Sequence, residues 1–92
     1  MIVGSLQVWL LIREARTLKD KRQVVNSIKD KLKQRYNVSV AEVEAEDHRQ
    51  LLVLGVAMVS NEASHTKAVF EQIVAALRAH PIAEFISHEV EV

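Results

Sequence analysis

The sequence predicts an α+β fold with the element order β-α-β-β-α-β, and three observations support this prediction. Apolar residues alternate with period two in four segments, as they do along one face of a strand. Two further segments carry apolar residues at three- and four-residue spacing, which is the pattern of an amphipathic helix. The 92 residues include only two glycines and one proline, so no linker or repeat divides the chain. We therefore predict one domain over residues 1–92.

The first predicted strand covers residues 1–12, where the even-numbered positions are apolar apart from Gly4. Ser5 and Gln7 interrupt the apolar run, and a membrane-spanning helix needs about 20 apolar residues. The segment also lacks the basic start and the cleavage site of a signal peptide. We therefore expect a soluble, cytoplasmic protein with no membrane contact.

The first predicted helix covers residues 18–36, with Val25, Ile28 and Leu32 on its apolar side. Thr17 precedes it as the N-cap. Asp20, three positions later, gives the sequence a partial capping box, in which side chain and backbone bond reciprocally.

Two strands, a second helix and a last strand complete the order. In sequence they are strands over 38–45 and 51–59, a helix over 62–79 and a strand over 82–92. Ser60 and Asn61 supply capping chemistry for the second helix, and Pro81 ends it. This order indicates a ferredoxin-like sandwich, with a four-stranded antiparallel sheet and two helices on one face. We expect the first and third strands to be central and parallel, so that both helices begin at the same end of the sheet.

The net charge of zero hides an asymmetry between the two ends of the chain. Within residues 1–36, Lys and Arg outnumber Asp and Glu by nine to three, and within 37–92 the ratio is three to nine. Rows of uncompensated cations are typical of surfaces that bind nucleic-acid phosphates. The alternative is that the cations face acidic groups of the same chain, which Glu42, Glu44 and the loop over 46–47 supply.

The first helix concentrates its cations along one flank. On a helical wheel, residues at alternating three- and four-residue spacing form a continuous row, which we call the basic stripe: Lys19, Arg22, Asn26, Lys29 and Lys33. A solvated helix more often interleaves charges of both signs, which gains about 0.2–0.5 kcal/mol per pair. The stripe therefore predicts a surface that binds phosphates of RNA or of the ribosome.

A second candidate anion site groups residues near the expected helix starts. Lys21 falls on the apolar side of the first helix, where its ammonium either reaches water along its stem or points to the end of the sheet. Two helix N-termini at that end would add partial positive charge and free N–H groups. The site for a phosphate, sulfate or carboxylate would then combine Lys21 with Arg13, Arg16, Ser60, Asn61 and His65.

No motif indicates catalysis or metal binding. Cysteine is absent, the four histidines lack ligand spacing, and two isolated glycines form no phosphate-binding loop. The connection over 13–17 also lacks the glycines of an acylphosphatase-type phosphohydrolase. Glu42 and Glu44 share a strand face, where such pairs usually discourage edge-to-edge aggregation. We therefore expect no enzyme activity, no cofactor and no metal ion, and a phosphate-handling enzyme is the least favoured hypothesis.

The sheet face away from the helices is the other candidate surface. Val3, Trp9 and Leu11 would lie on a central strand there, beside a third strand that is apolar on both faces. Exposed apolar patches usually mark a partner. The alternative function is therefore a homodimeric interaction or ligand-binding module with no nucleic-acid role. Stacking of Trp9 on a base is disfavoured, because open-sheet RNA-binding domains carry aromatic residues on both central strands.

Four stretches, taken together, resemble the bacterial YlxP family, which is catalogued as a domain of unknown function. In order they are Met1-Ile2-Val3-Gly4, Leu18-Lys19-Asp20-Lys21-Arg22, the run from Asn37 to Val43, and Gly55-Val56-Ala57 followed by Val59-Ser60-Asn61. The resemblance covers essentially the whole chain. The sequence departs from the family pattern between His48 and Leu51, where many members carry a tryptophan.

The resemblance implies a ferredoxin-like fold and no established enzyme activity. Members are typically encoded beside translation initiation factor two and ribosome-binding factor A, so it also implies a role near the ribosome or RNA. Carried over by position, the basic motif of the family corresponds to Lys19, Lys21 and Arg22.

Overall fold

The computed structural model describes residues 1–92 and has the predicted order of elements. The strands are β1 (Ile2–Leu11), β2 (Ser39–Glu42), β3 (Leu51–Ser60) and β4 (Glu84–Glu91), and the helices are α1 (Leu18–Arg35) and α2 (Ala63–Arg78). The strands form one sheet in the order β2-β3-β1-β4, and every neighbouring pair is antiparallel. The prediction of an α+β ferredoxin-like fold is confirmed. β2 is shorter than the predicted strand over 38–45.

β1 and β3 are the central strands, but the expectation that they run parallel is wrong. Ile2 lies opposite Ser60 and Leu11 lies opposite Leu51. The crossover through α1 makes β1 parallel to β2, and the loop after β2 then reverses the chain into β3. As a result α1 begins next to the end of β1, whereas α2 begins next to the start of β1. The two helices therefore start at opposite ends of the sheet.

A single apolar core lies between the sheet and the two helices. Even-numbered residues of β1 and β3 contribute one side of it, because alternate side chains of a strand share a face. The helices contribute Val25, Ile28 and Leu32 from α1 and Phe70, Ile73 and Leu77 from α2. The opposite face of the sheet has no helix over it, and we call it the open face.

α2 approaches β1 closely at Gly4. A Cβ atom at this position would lie 2.5 Å from Cγ2 of Thr66 and 3.0 Å from the ring of Phe70. Position 4 therefore needs the space above the strand that a glycine leaves free. Thr66 and Phe70 are themselves buried.

The N-termini of the helices are capped in different ways. At α1 the predicted capping box is present: the Asp20 N–H donates to Oγ1 of Thr17, and the Thr17 N–H donates to Oδ2 of Asp20. At α2 the N-cap is Glu62, which makes no side-chain cap, so the expected capping role of Ser60 and Asn61 is wrong. The Ser60 hydroxyl instead accepts from the N–H of the N-cap residue Glu62 at 3.3 Å and donates to its carbonyl at 2.8 Å.

Candidate functional site

The basic stripe is exposed along most of its length. Lys19, Arg22 and Lys33 are exposed and Lys29 is half-buried. The two ion pairs of the chain are Arg13–Glu84 and Lys21–Glu42, so none of the four stripe cations is paired. At 1.5 Å per residue, Lys19 and Lys33 are separated by about 21 Å along the helix axis.

The stripe lies on the flank of α1 that faces away from α2. α1 packs over β2, at the edge of the sheet, whereas α2 packs over the other three strands. Lys31 lies near His80, the residue that follows the end of α2 by two positions. Burial lowers the pKa of His80, and the charge of Lys31 lowers it further. At 100° per residue the stripe is on the opposite side of α1 from Lys31. The four cations therefore project beyond the β2 edge of the molecule.

Lys21 does not belong to this surface, and its predicted role as an anion ligand is wrong. Its side chain is only 1% exposed, and Nζ lies 2.6 Å from Oε2 of Glu42. Nζ also donates to the backbone carbonyls of Ala45, at 2.8 Å, and His48, at 2.6 Å. The carboxylate contact is an ion pair rather than an aligned hydrogen bond, since Oε2 has no hydrogen-bond partner. These acceptors occupy the ammonium from within the chain.

The loop that follows β2, residues 43–50, is tied to the loop that follows β1, residues 12–17. Nε2 of Gln50 donates to the carbonyl of Arg13 at 3.1 Å and to the carbonyl of Ala15 at 3.3 Å. Within the β2–β3 loop, Ala45 adopts a left-handed backbone with φ of 55°. That conformation places the Ala45 carbonyl in reach of Lys21, so α1 and the two loops form one connected end of the molecule.

The combined anion site at the helix starts is not formed. Arg13, Arg16 and the start of α1 lie at one end of the sheet, and Asn61 lies at the other, with Ser60 and His65 of the same segment. Of the N–H groups at the start of α1, those of Thr17 and Asp20 are occupied by the capping box, and Oδ2 of Asp20 also accepts from the Arg16 N–H. The sequence prediction grouped these residues because it gave β1 and β3 the same direction.

A cationic concavity does exist at the α1 end, and it includes a residue that sequence reasoning missed. It is lined by Arg13, Glu14, Ala15, Arg16, Arg49 and Gln50. Arg49 belongs to the β2–β3 loop, and its position beside the β1–α1 loop depends on the Gln50 contacts. The only signal in the sequence was a single arginine in a polar loop, which is too common to indicate a site.

The open face presents less apolar surface than its sequence predicts. Val3 and Val59 lie opposite each other and are 60% and 58% exposed, but Trp9 and Leu11 are half-buried. A shallow concavity of about 540 Å³ crosses the centre of the face. Small residues of β2 and β3 line it, and three carboxylates stand around it: Glu44, Glu89 and Glu91.

Two further features bear on the predicted properties. Neither helix combines the length with the apolar composition that crossing a bilayer requires. No three His, Asp or Glu side chains are grouped so that they could hold a metal ion.

Two comparisons with known proteins show what the chain is similar to. A family model described as "Protein of unknown function (DUF503)" matches residues 3–90. An uncharacterised protein of Bacillus subtilis (strain 168), YlxP, is 28% identical over 80 residues, which are 87% of this chain and 87% of that protein.

Proposed function

We propose an association with RNA or the ribosome for this chain, which belongs to the DUF503 family of proteins of unknown function. In this proposal the basic stripe of α1 binds the phosphate groups. The observation that carries the proposal is the unpaired state of Lys19, Arg22, Lys29 and Lys33 in a chain with no net charge.

The distribution of the carboxylates supports the proposal. Had the acidic loop over 42–47 covered the stripe, the charges would have cancelled locally. Glu42 instead pairs with the buried Lys21, and Glu44 stands at the open face with Glu89 and Glu91. The molecule is therefore electrically polarised, with an acidic open face and a cationic outer flank. A polyanion can approach that flank without displacing an ion pair.

Salt dependence tests the phosphate contacts directly. Each phosphate neutralised on a single strand contributes about −0.7 to the slope of log K against log salt concentration. Four contacts from the stripe predict a loss of affinity of about 50-fold between 50 and 200 mM salt. The probe is a single-stranded RNA oligonucleotide, followed by fluorescence anisotropy, with co-sedimentation of ribosomal fractions at the same two salt concentrations.

Two double variants separate the stripe from charge in general. Arg22→Glu with Lys33→Glu reverses two exposed stripe cations, and Lys31→Glu with Lys67→Glu reverses two exposed cations elsewhere. Both variants change the net charge by the same amount. We expect RNA affinity and ribosome co-sedimentation to collapse only in the stripe variant. Equal losses in both, or unchanged binding after all four stripe cations are replaced by Glu, would contradict the proposal.

A second candidate function is a homodimer or ligand-binding module that uses the open face. It is favoured by the exposed, directly opposed Val3 and Val59. The carboxylates on the same face oppose self-association, because like charges would meet across the interface. Light scattering decides between these outcomes: a monomer at high protein concentration would exclude the dimer, and a dimer should dissociate when Val59 is replaced by Asp.

A further inference from the structure

We propose that Arg13, Arg16 and Arg49 form a subsite for a phosphate monoester, namely the terminal phosphate of a bound RNA. This inference rests on the proposed function, because it takes RNA as the ligand. A terminal phosphate carries a charge of about −1.5 to −2 at pH 7, whereas each phosphate within the strand carries one negative charge. The single cations spaced along α1 suit the diesters. Three arginines around one concavity suit the more highly charged end group.

The geometry supplies a defined place for such a group. The concavity between the two loops has a volume of about 470 Å³ and is open to solvent. Arg16 and Arg49 make no side-chain hydrogen bond or ion pair with the rest of the chain, and both are exposed. Guanidinium groups bind phosphate oxygens through two parallel N–H donors, which makes Arg the usual residue for this recognition.

Arg13 differs from Arg16 and Arg49 because its side chain is hydrogen-bonded within the chain. Its Nε donates to Oε2 of Glu84 at 2.6 Å. That hydrogen bond, followed by the charge of Glu84, raises the pKa of Arg13. No other N–H of the guanidinium is bonded within the chain, so its terminal nitrogens remain available. Glu14 also lines the concavity and opposes an anion, so that with Glu84 two carboxylates stand against three arginines, which remain in excess by one charge.

The backbone of the two loops that carry the arginines is tied together before any ligand binds. The Ile12 N–H donates to the carbonyl of Gln50 at 2.8 Å, and the Gln50 amide returns two hydrogen bonds to the first loop. Lys21 holds the carbonyl of His48, the residue before Arg49. Lys21 is therefore a positioning residue for Arg49 rather than a phosphate ligand. A pre-organised backbone avoids part of the entropy that binding would otherwise cost.

The basic stripe begins at the end of α1 where the subsite lies, since Arg16 and Thr17 directly precede the helix and Lys19 is in its first turn. One strand of RNA could thus place its terminal phosphate between the loops and its following phosphates along the helix. This continuity is what makes the RNA terminus, rather than a free anion, the source of phosphate in the proposal.

The test compares RNAs of one sequence that carry a 5′-phosphate, a 3′-phosphate or no terminal phosphate. We expect one of the phosphorylated forms to bind at least tenfold more tightly than the unphosphorylated form. Arg49→Gln should reduce that ratio to about one. Lys67→Gln, which removes another exposed cation, from α2, should leave the ratio unchanged. A ratio of one in the unaltered protein would overturn the assignment of the RNA terminus.

Inorganic phosphate and pyrophosphate supply an arm that does not depend on RNA binding. Saturable changes in the NMR signals of the arginine side chains, absent in Arg49→Gln, would support the subsite even if the stripe bound no RNA. Their absence, together with a ratio of one, would overturn the subsite altogether. The stripe double variant separates the two proposals, because it should lower the affinity for every RNA and keep the ratio between them.

Discussion

Nζ of Lys21 lies 2.6 Å from Oε2 of Glu42, and the two side chains are 1% and 17% exposed. The ammonium also holds two carbonyls of the β2–β3 loop. One buried cation thus connects the first turns of α1, the end of β2 and the loop that carries Arg49. Its role follows from burial: a charge removed from water must be paired and hydrogen-bonded within the chain.

Replacement of Lys21 by Met should lower the free energy of unfolding by about 3–5 kcal/mol, because a buried carboxylate is left without its partner. Glu42→Gln should also destabilise, and Lys21→Met with Glu42→Leu should recover part of the loss, since both charges are then absent. Urea unfolding measures all three. Lys19→Met, at an exposed position of the same helix, should change stability by no more than about 0.5 kcal/mol. Equal stabilities of Lys21→Met and Lys19→Met would exclude a stabilising role for the ion pair.

The position of Lys21 on the apolar side of α1 could be predicted from helical spacing, but its partners could not. Two of its acceptors are backbone carbonyls of Ala45 and His48, and every residue type has a carbonyl. Their location depends on the left-handed backbone at Ala45. The sequence does not indicate this conformation, because the position is neither glycine nor asparagine, the residues that usually adopt it. The functional expectation for Lys21 failed for this reason, whereas the exposed Lys19 and Arg22 needed no partner to be placed on the flank.

Ala45→Gly should stabilise the protein. A left-handed backbone costs an L-residue with a Cβ about 1–2 kcal/mol, and glycine avoids this cost but loses about 0.5–1 kcal/mol in chain entropy. We expect a net gain of about 0.5–1 kcal/mol in the free energy of unfolding. The matched control is Ala57→Gly, in the extended backbone of β3, which should destabilise. A loss of stability in Ala45→Gly would mean that the φ of 55° carries no strain.

Gly4→Ala should lower the free energy of unfolding by about 1–3 kcal/mol, the usual cost of overpacking a core. The new methyl group would lie 2.5 Å from Cγ2 of Thr66, which is held between α2 and the sheet. Gly55→Ala is the matched control in β3. There the new Cβ would lie 2.8 Å from Cγ1 of Val43, but that side chain is 41% exposed and can rotate away. If thermal unfolding shows equal effects, α2 adjusts more easily than its packing indicates.

The order and type of the elements could be predicted because hydrophobic spacing is local, but strand direction is a property of the whole sheet. The β-α-β-β-α-β order was correct, and so was the capping box of Thr17 and Asp20. The direction of β3 relative to β1 was not, and that single error placed Asn61 at the wrong end. The basic stripe was unaffected, since it depends on one helix alone. The site of Arg49 needed the loop conformations, which local spacing does not determine.

Stability should decrease as the pH falls through the range in which His80 titrates in the unfolded chain. Nδ1 of His80 accepts hydrogen bonds from the N–H groups of Ile82 and Ala83, so this nitrogen carries no proton. Burial, and then the charge of Lys31, lower the pKa of His80 in the folded protein below its ordinary value of 6.5. Below about pH 6.5 the unfolded chain therefore binds a proton that the folded chain does not, and this favours unfolding.

The measurement is urea unfolding at pH 7.5 and pH 5.5. We expect the unaltered protein to lose more stability between these values than His80→Asn, whose side-chain oxygen can accept the same hydrogen bonds but does not titrate. Lys31→Gln should reduce the pH-dependent loss, because removal of the nearby positive charge raises the pKa of His80. NMR titration of the imidazole checks this shift independently. An equal pH-dependent loss in the unaltered protein and in His80→Asn would exclude His80 as the cause of the response to acid.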